Sequence, residues 1–228
     1  PGTVEDLGPP AGRVTGYDER DPDPRPRART PFLELSKEEP PLEPMLAFIK
    51  TPHWDRVDAE AKEAFAELVE ALGDRVEEVD LFPSAAESWD WHRTIMDVEM
   101  ASNFEREWTR GRDRLSQPLR TLIERGREVK AVDYQRALRG IAPAAASLDD
   151  LFMERYDAII TPAAPGVAPK GLGATGDPRF CTLWTLLGMP ALSLPLMQGA
   201  GGLPLGVPLV GRRHFDARLP RTTHWPGA

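Results

Sequence analysis

Cysteine is almost absent from the sequence, and its scarcity excludes two kinds of site. Cys181 is the only cysteine among 228 residues, so no disulfide can form within the chain. None of the four histidines stands at the spacing from another histidine or from Cys181 that a zinc site requires. The sequence therefore predicts a protein without a metal or other cofactor, and the single thiol fits a reducing cytoplasm.

Long apolar runs and an excess of positive charge are also lacking. No segment approaches the ~20 apolar residues that cross a bilayer, and the N-terminus lacks the pattern of a signal peptide. The net charge is -8, with acidic and basic residues interspersed, which disfavours nucleic acid and anionic membranes as partners. Because the chain starts at Pro1 rather than at methionine, we expect it to be one piece of a longer protein.

The composition changes near residue 43 and divides the chain in two. Residues 1–43 are rich in proline and charge and offer few apolar anchors, which predicts a surface arm with few packed contacts. Residues 44–228 contain the apolar segments that can build a core. We therefore expect a Pro-rich charged arm followed by the C-terminal α/β portion of a larger domain.

A strand–helix–strand unit opens the second part. Met45–Thr51 is a compact apolar run that predicts a buried strand. Asp58–Asp74 carries apolar residues at spacings of three and four, which indicate a helix that stops at Gly73. Arg75–Leu81 predicts the next strand, and this order favours parallel pairing in an α/β sheet.

The middle of the chain, residues 84–155, reads as mostly helical. Breaks are predicted near Gly111, near Gln117-Pro118 and from Gly140 to Pro143. Interior prolines also weaken a helix by about 3 kcal/mol each, so Pro9 and Pro10 are expected to disrupt a helix near the N-terminus.

The last part of the chain returns to strands. Tyr156–Pro165 predicts the third strand. The stretch Thr175–Gly211 then carries almost no charge, although 28% of all residues are charged. We interpret it as a polar loop, a short apolar segment and two buried strands, Ala191–Met197 and Leu203–Val210, joined by the turn QGAGG.

Several motifs occur together and in a fixed order. YDAIITPAAPGVAPKG, TGDPRFCTLWTLLGMPALSLPL and GGLPLGVPLVGRRHFDARL follow one another, and TVEDL and GYDERDPDPRPR stand near the N-terminus. Together they resemble the C-terminal part of the amidase signature family. The resemblance implies an α/β fold with a mixed β-sheet flanked by helices. Pro208 departs from the family, which usually has glutamine there in a paired strand.

The family resemblance also implies a chemistry. Its members hydrolyse amides, and sometimes esters, through a Ser–cis-Ser–Lys triad. The family carries that triad and its oxyanion-hole amides before the Val-Glu-Asp helix at which this sequence starts. The resemblance therefore implies that the catalytic residues lie outside this chain, and no Gly-x-Ser-x-Gly stretch occurs within it.

Candidate binding residues lie just before the uncharged run. Polar and aromatic side chains alternate there and could line a substrate pocket or cover a core. The five candidates for the acyl side of a pocket are Thr175, Asp177, Phe180, Cys181 and Trp184. The aromatic segment Trp89–Arg93 is a second candidate rim, with core packing as the alternative.

Candidate nucleophiles and bases within the chain have weak sequence contexts. Ser193 falls in a predicted buried strand, and Cys181 has no adjacent base. Lys50 and Lys170 fit the solvated ends of a strand and a loop. The four histidines, His53, His92, His214 and His224, fit surface or helix positions.

Two functions follow from these observations. The first is the C-terminal part of an amidase that hydrolyses the carbon–nitrogen bond of a small or aryl amide, with this chain supplying the pocket and being inactive alone. The alternative is a catalytically inactive α/β binding or interaction domain derived from the same fold. The expected partners are a small amide, and either the N-terminal part of the amidase or a second copy of the chain.

Overall fold

The computed structural model describes residues 4–20, 29–173 and 175–223. Its centre is a five-stranded mixed sheet in the order β2-β1-β3-β5-β4. The strands are β1 (Leu46–Phe48), β2 (Val76–Glu78), β3 (Ala158–Ile160), β4 (Ala191–Gln198) and β5 (Pro204–Val210). The α/β class and all five predicted strands are confirmed.

The strand–helix–strand unit pairs in parallel, as its order predicted. Helix α3 (Ala59–Leu72) connects β1 to β2, and β1 also pairs in parallel with β3. The helix ends where the backbone of Gly73 adopts a φ of 56°, a conformation that suits glycine because it has no Cβ. The predicted stop of the helix is confirmed.

The three central strands, β1, β3 and β5, are apolar on both faces because helices cover both. Leu46 and Phe48 point to one face, with side chains of α3 and of the short helix α9 (Leu219–Thr222). Ala47 and Ile49 point to the other face, which is covered by α7 (Ala131–Glu154) and α8 (Arg179–Leu186). Since side chains alternate along a strand, β1, β3 and β5 contribute to both layers of the core.

Residues 88–154 form a helical layer beside the sheet. Its helices are α4 (Ser88–Asn103), α5 (Glu105–Gly111), α6 (Gln117–Glu128) and α7. The predicted breaks near Gly111 and Gln117 are confirmed. The predicted break from Gly140 to Pro143 is wrong, because α7 continues through Pro143.

Two features fix the crossing of α4 and α6. Gly126 lies so close to α4 that an added Cβ would stand 1.8 Å from the carbonyl oxygen of Asp97. The buried Asp97 carboxylate accepts two hydrogen bonds from Arg125, at 2.9 and 2.7 Å. Because the ion pair is bidentate, it sets the orientation as well as the distance of the two helices.

The last two strands form the predicted antiparallel hairpin. Ala191 pairs with Val210 and Ser193 pairs with Pro208, and the turn contains a 3-10 segment, Ala200–Gly202. Gly211 donates its N–H to the carbonyl oxygen of Pro190 at 2.8 Å.

The hydrogen bond between Gly211 and Pro190 shows which way the backbone groups of β5 point. In an antiparallel ladder, residues that hydrogen-bond to one neighbouring strand alternate with residues that face the other neighbour. Because Gly211 bonds towards β4, the backbone nitrogen of Pro208 faces β3. Strand β3 ends at Ile160, opposite Leu209, so the missing donor of Pro208 falls where the ladder stops. This position accommodates a proline within a central strand.

The N-terminal segment contains more structure than its composition predicted. Helix α1 (Val4–Val14) includes both Pro9 and Pro10, and α2 (Phe32–Leu35) follows. Leu35 and Ser36 are buried, and Glu38 forms an ion pair of 2.5 Å with Arg221. The expectation of few packed contacts therefore does not hold for this part of the arm. Residues 21–28 and the C-terminal Pro226 lie outside the described residues.

Candidate functional site

Three loops meet at the carboxyl ends of the parallel strands β1 and β3. The residues after β1 approach those after β3, because Asp58 donates its N–H to the carbonyl oxygen of Pro165 at 2.8 Å. The start of α8 joins them, since the His53 and Phe180 ring centroids are 6.4 Å apart. This end of an open α/β sheet is where ligands bind in many folds, so we take it as the candidate site.

An arginine–aspartate network joins these loops. The Asp177 carboxylate lies 3.0 Å from Nη1 of Arg179 and 3.3 Å from Nε of Arg56. The same carboxylate accepts the backbone N–H of Arg179 at 3.1 Å, which satisfies a free donor at the start of α8. Arg56 belongs to the loop after β1, so the network connects that loop to α8.

Aromatic groups border the network. The guanidinium carbon of Arg179 lies 5.0 Å from the centroid of the Trp89 ring, which stands at the start of α4. The Trp89 and His53 rings are nearly perpendicular, with centroids 6.3 Å apart. Burial, and then the positive charge of Arg179, lower the pKa of His53 below its usual 6.5. The imidazole is therefore neutral at pH 7.

The five predicted binding residues differ in burial, because three are exposed or half-buried and the two aromatic ones are buried. Asp177 is half-buried in the network, while Thr175 and Cys181 are exposed. Phe180 is completely buried among Val57, Ala61 and Leu205. Their role in binding a substrate stays a prediction.

Trp184 lies deeper in the core than the other predicted residues. Its side chain is 3% exposed and packs in the cluster between the sheet, α7 and α8. Among the described residues, its indole Nε1 and the Oγ1 of Thr51 are two of the buried polar atoms without a hydrogen-bond partner.

Arg56 was not singled out from the sequence, and Arg179 lies in the mixed segment but was not among the five binding candidates. Arg56 follows Asp55 directly, and Arg179 stands two positions after Asp177. This pattern is too common in sequences to mark a site. His53 was expected at the surface or on a helix, and Trp89 belongs to the segment expected either to rim a pocket or to pack in the core. The structure places both beside Arg179. Of the other histidines, His224 lies outside the described residues.

The candidate nucleophiles and bases named from the sequence lie in surroundings that are common in folded proteins. Although Cys181 as a whole residue is exposed, partial burial of its thiol raises the pKa, and the thiol donates to the carbonyl oxygen of Ala163 at 3.5 Å. The reactive thiolate is therefore disfavoured. Ser193 lies on β4, and Lys50 Nζ pairs with Glu78 at 2.6 Å. In the described parts of the chain, no group of three or more His, Cys, Asp or Glu side chains is arranged to hold a metal ion.

Acid should destabilise the fold partly through His53. An unfolded histidine takes up a proton as the pH falls through about 6.5, whereas the folded His53 stays neutral until a lower pH. The free energy of unfolding should therefore fall between about pH 7 and about pH 5, and less steeply in His53→Gln. Urea unfolding across this range measures the slope, and an unchanged slope in His53→Gln would contradict the assignment. His92, whose pKa burial also lowers, accounts for a remaining slope.

Trp184→Ala tests whether the indole ring is a packing element. We expect a loss of about 3–5 kcal/mol in the free energy of unfolding, because the ring fills the core. Trp184→Phe should cost less, since it keeps an aromatic ring and removes an unpaired donor. Chemical denaturation measures both losses. A Trp184→Ala protein of unchanged stability would instead favour a pocket wall.

Comparisons with known proteins agree with this architecture. The sequence model of the family described as Amidase matches residues 2–219. The glutamyl-tRNA(Gln) amidotransferase A subunit of Cereibacter sphaeroides is 39% identical over 100 residues, which is 40% of this chain and 20% of that protein. The structure of the corresponding protein from Thermotoga maritima superposes with a TM-score of 0.70 at 27% identity, covering 96% of this chain and 49% of that chain.

A second solved structure supports the fold alone. It is a bacterial aryl acylamidase of the amidase signature enzymes, with a TM-score of 0.73 and 18% identity, covering 96% of this chain and 50% of that one. The chain belongs to the amidase signature family. It spans about half the length of these solved relatives. No described helix combines the length and apolar character needed to span a bilayer.

Proposed function

We propose that this chain is the C-terminal portion of an amide hydrolase. The carboxyl ends of β1 and β3 and the start of α8 would shape the acyl side of its pocket, and the nucleophile would come from a part of the protein outside this chain. Family membership is the observation that carries the proposal, because amidase relatives act on carbon–nitrogen bonds. Substrate, partner and the roles of the five predicted residues belong to the proposal.

The surroundings of the serine side chains support an external nucleophile. The hydroxyls of Ser88 and Ser147 donate to backbone carbonyl oxygens, at 2.6 and 3.2 Å. A serine hydroxyl becomes a strong nucleophile only when a base accepts its proton. Ser193 lies opposite Pro208 in the hairpin, and a proline side chain offers no base.

The open edge of β4 supports a partner for the sheet. Among the strands that the structure describes, β4 has a neighbour only on the β5 side, and no charged residue occurs from Phe180 to Gly211. By the alternation of the ladder, Ala191 and Ser193 direct their N–H and C=O groups away from β5. Proteins usually protect such an edge with charge or cover it, and here Pro195 and the irregular register between Leu194 and Met197 are what interrupts it.

A cavity beside this edge supports the same proposal. It has a volume of about 260 Å³ and lies between the N-terminal helices and the start of β4, with Ala11, Phe32, Ala191, Leu192 and Leu219 among its lining residues. We propose that a strand from the rest of the amidase pairs with β4 and places apolar side chains in this cavity.

The experiment that tests the proposed function uses the longer protein that contains this chain. Hydrolysis of acetanilide and benzamide would be followed by release of aniline or ammonia. We expect turnover, and we expect Asp177→Asn to impair it because the network that orders the start of α8 is lost. Glu78→Gln, which breaks the exposed pair with Lys50, is the control and should keep wild-type turnover. A longer protein that hydrolyses neither amide would favour the inactive binding domain.

A further inference from the structure

Two tryptophans on the first turn of α4 have different surroundings. Trp91 packs against the cluster that contains Ala144 and Leu148 of α7. Trp89 is half-buried and meets the His53 ring and the guanidinium group of Arg179 instead. The two neighbours of Trp89 belong to the candidate site, so its position is explained by that site rather than by the core.

Arg179 is held more firmly than a typical surface arginine. Asp177 binds it through the side chain at 3.0 Å and the backbone N–H at 3.1 Å. The Trp89 ring lies beside its guanidinium group. The side chain nevertheless remains 30% exposed, so part of this oriented, planar group is open to a ligand.

The local charges do not favour an ionic ligand. The four charged groups that act on His53 are Arg179, Asp177, Arg56 and Asp55, and their charges cancel. His53 itself is neutral because its pKa is lowered by burial. What the surface offers is a flat guanidinium group next to aromatic rings, which favours flat, uncharged groups by stacking.

We propose that Arg179 contacts the substrate and selects amides whose acyl group is planar and aromatic. Trp89 and Asp177 are positioning residues, because they act by fixing the plane of the guanidinium group. The inference rests on the proposed function, since it assigns a substrate class to the same site. It also goes further, because it makes one side chain responsible for the preference.

Lysine cannot replace arginine in this role. A lysine ammonium keeps the positive charge and can still pair with Asp177, but it has no planar face. Arg179→Lys therefore separates stacking from charge. Trp89→Leu is the second variant, because it leaves Arg179 in place and removes the ring that orients it.

Arg112 and Trp108 provide a matched control within the same chain. The guanidinium carbon of Arg112 lies 4.4 Å from the centroid of the Trp108 ring, on the surface formed by α5 and the segment after it. Arg112→Lys therefore changes an arginine–tryptophan contact of the same kind at a place that the proposal does not use.

The test compares benzamide with hexanamide on the longer protein that contains this chain. Isothermal titration measures binding of each amide, and steady-state kinetics measures KM and kcat separately. In Arg179→Lys we expect the affinity for benzamide to fall about tenfold and the affinity for hexanamide to fall much less, so that the benzamide-to-hexanamide affinity ratio drops. Trp89→Leu should shift the benzamide-to-hexanamide ratio in the same direction, and Arg112→Lys should leave it unchanged.

The outcomes separate this inference from the proposed function. Binding of benzamide that weakens relative to hexanamide in Arg179→Lys supports the inference even if neither amide is hydrolysed, in which case the proposed function fails. Hydrolysis with an unchanged benzamide-to-hexanamide ratio in both variants overturns the inference and leaves the proposed function standing. Failure to bind benzamide at all also overturns it.

Discussion

The purified 228-residue chain should hydrolyse benzamide and acetanilide no faster than a heat-treated sample of the same protein. The reason is chemical, because a serine needs a base within hydrogen-bond reach and donors for the developing oxyanion. Hydrolases that lose their nucleophile and base lose roughly a millionfold in kcat. Ammonia or aniline release over a long incubation measures the residual rate.

The result that contradicts this expectation is specific. Turnover that disappears in Ser193→Ala or Cys181→Ala would place the nucleophile inside the chain. Ser147→Ala is the control, because Ser147 donates to the carbonyl oxygen of Pro143 within α7 and lies on a helix away from the candidate site. Activity that persists in all three variants would indicate a contaminating hydrolase.

Gly126→Ala should be among the most destabilising single substitutions in the chain. The new Cβ would stand 1.8 Å from the carbonyl oxygen of Asp97 and 2.9 Å from the Cβ of Ala101. The first obstacle is backbone, so α6 must move away from α4 and strain the ion pair between Asp97 and Arg125. We expect a loss of about 3 kcal/mol or more in the free energy of unfolding, measured by urea denaturation.

Gly12→Ala is the matched control for this prediction. Gly12 also lies within a helix, α1, but a Cβ there would meet no atom within 4 Å. Alanine favours a helix over glycine by about 1 kcal/mol, so this variant should be as stable as the parent or slightly more so. Equal stability of Gly126→Ala and the parent would show that α4 and α6 do not cross as closely as described.

Much of the fold could be predicted because the core elements are strongly patterned. Asp58–Asp74 showed a helical spacing and a terminal glycine, and α3 forms there. The uncharged stretch before Gly211 predicted a hairpin, and β4 and β5 pair as expected. In each case a local pattern and the burial it requires agree.

The failures come from prolines, whose effect depends on their surroundings. Pro143 was expected to break a helix, but α7 continues through it, and its neighbours Ala144 and Ala145 are packed in the core. Tertiary packing offsets the cost of the lost hydrogen bond. The position of Pro208 depends on where β3 ends, and a single sequence does not contain that information.

The candidate site was predicted in part. The segment around Asp177 was identified from its mixed composition and includes Arg179, but the second arginine that binds Asp177 comes from a distant part of the chain. Arg56 is more than a hundred residues from Asp177 in sequence and 3.3 Å away in space. A spacing rule cannot detect such a pair, since the fold alone brings its members together.

The central claim is the proposal that the chain is part of an amide hydrolase whose nucleophile lies outside these 228 residues. Labelling of the longer protein with a serine-reactive fluorophosphonate, followed by peptide mass spectrometry, tests it most directly. The account predicts one labelled serine in the part of the protein outside this chain and no label on any residue of the chain. A stoichiometric label on Ser193, or on any other serine of these 228 residues, would contradict it.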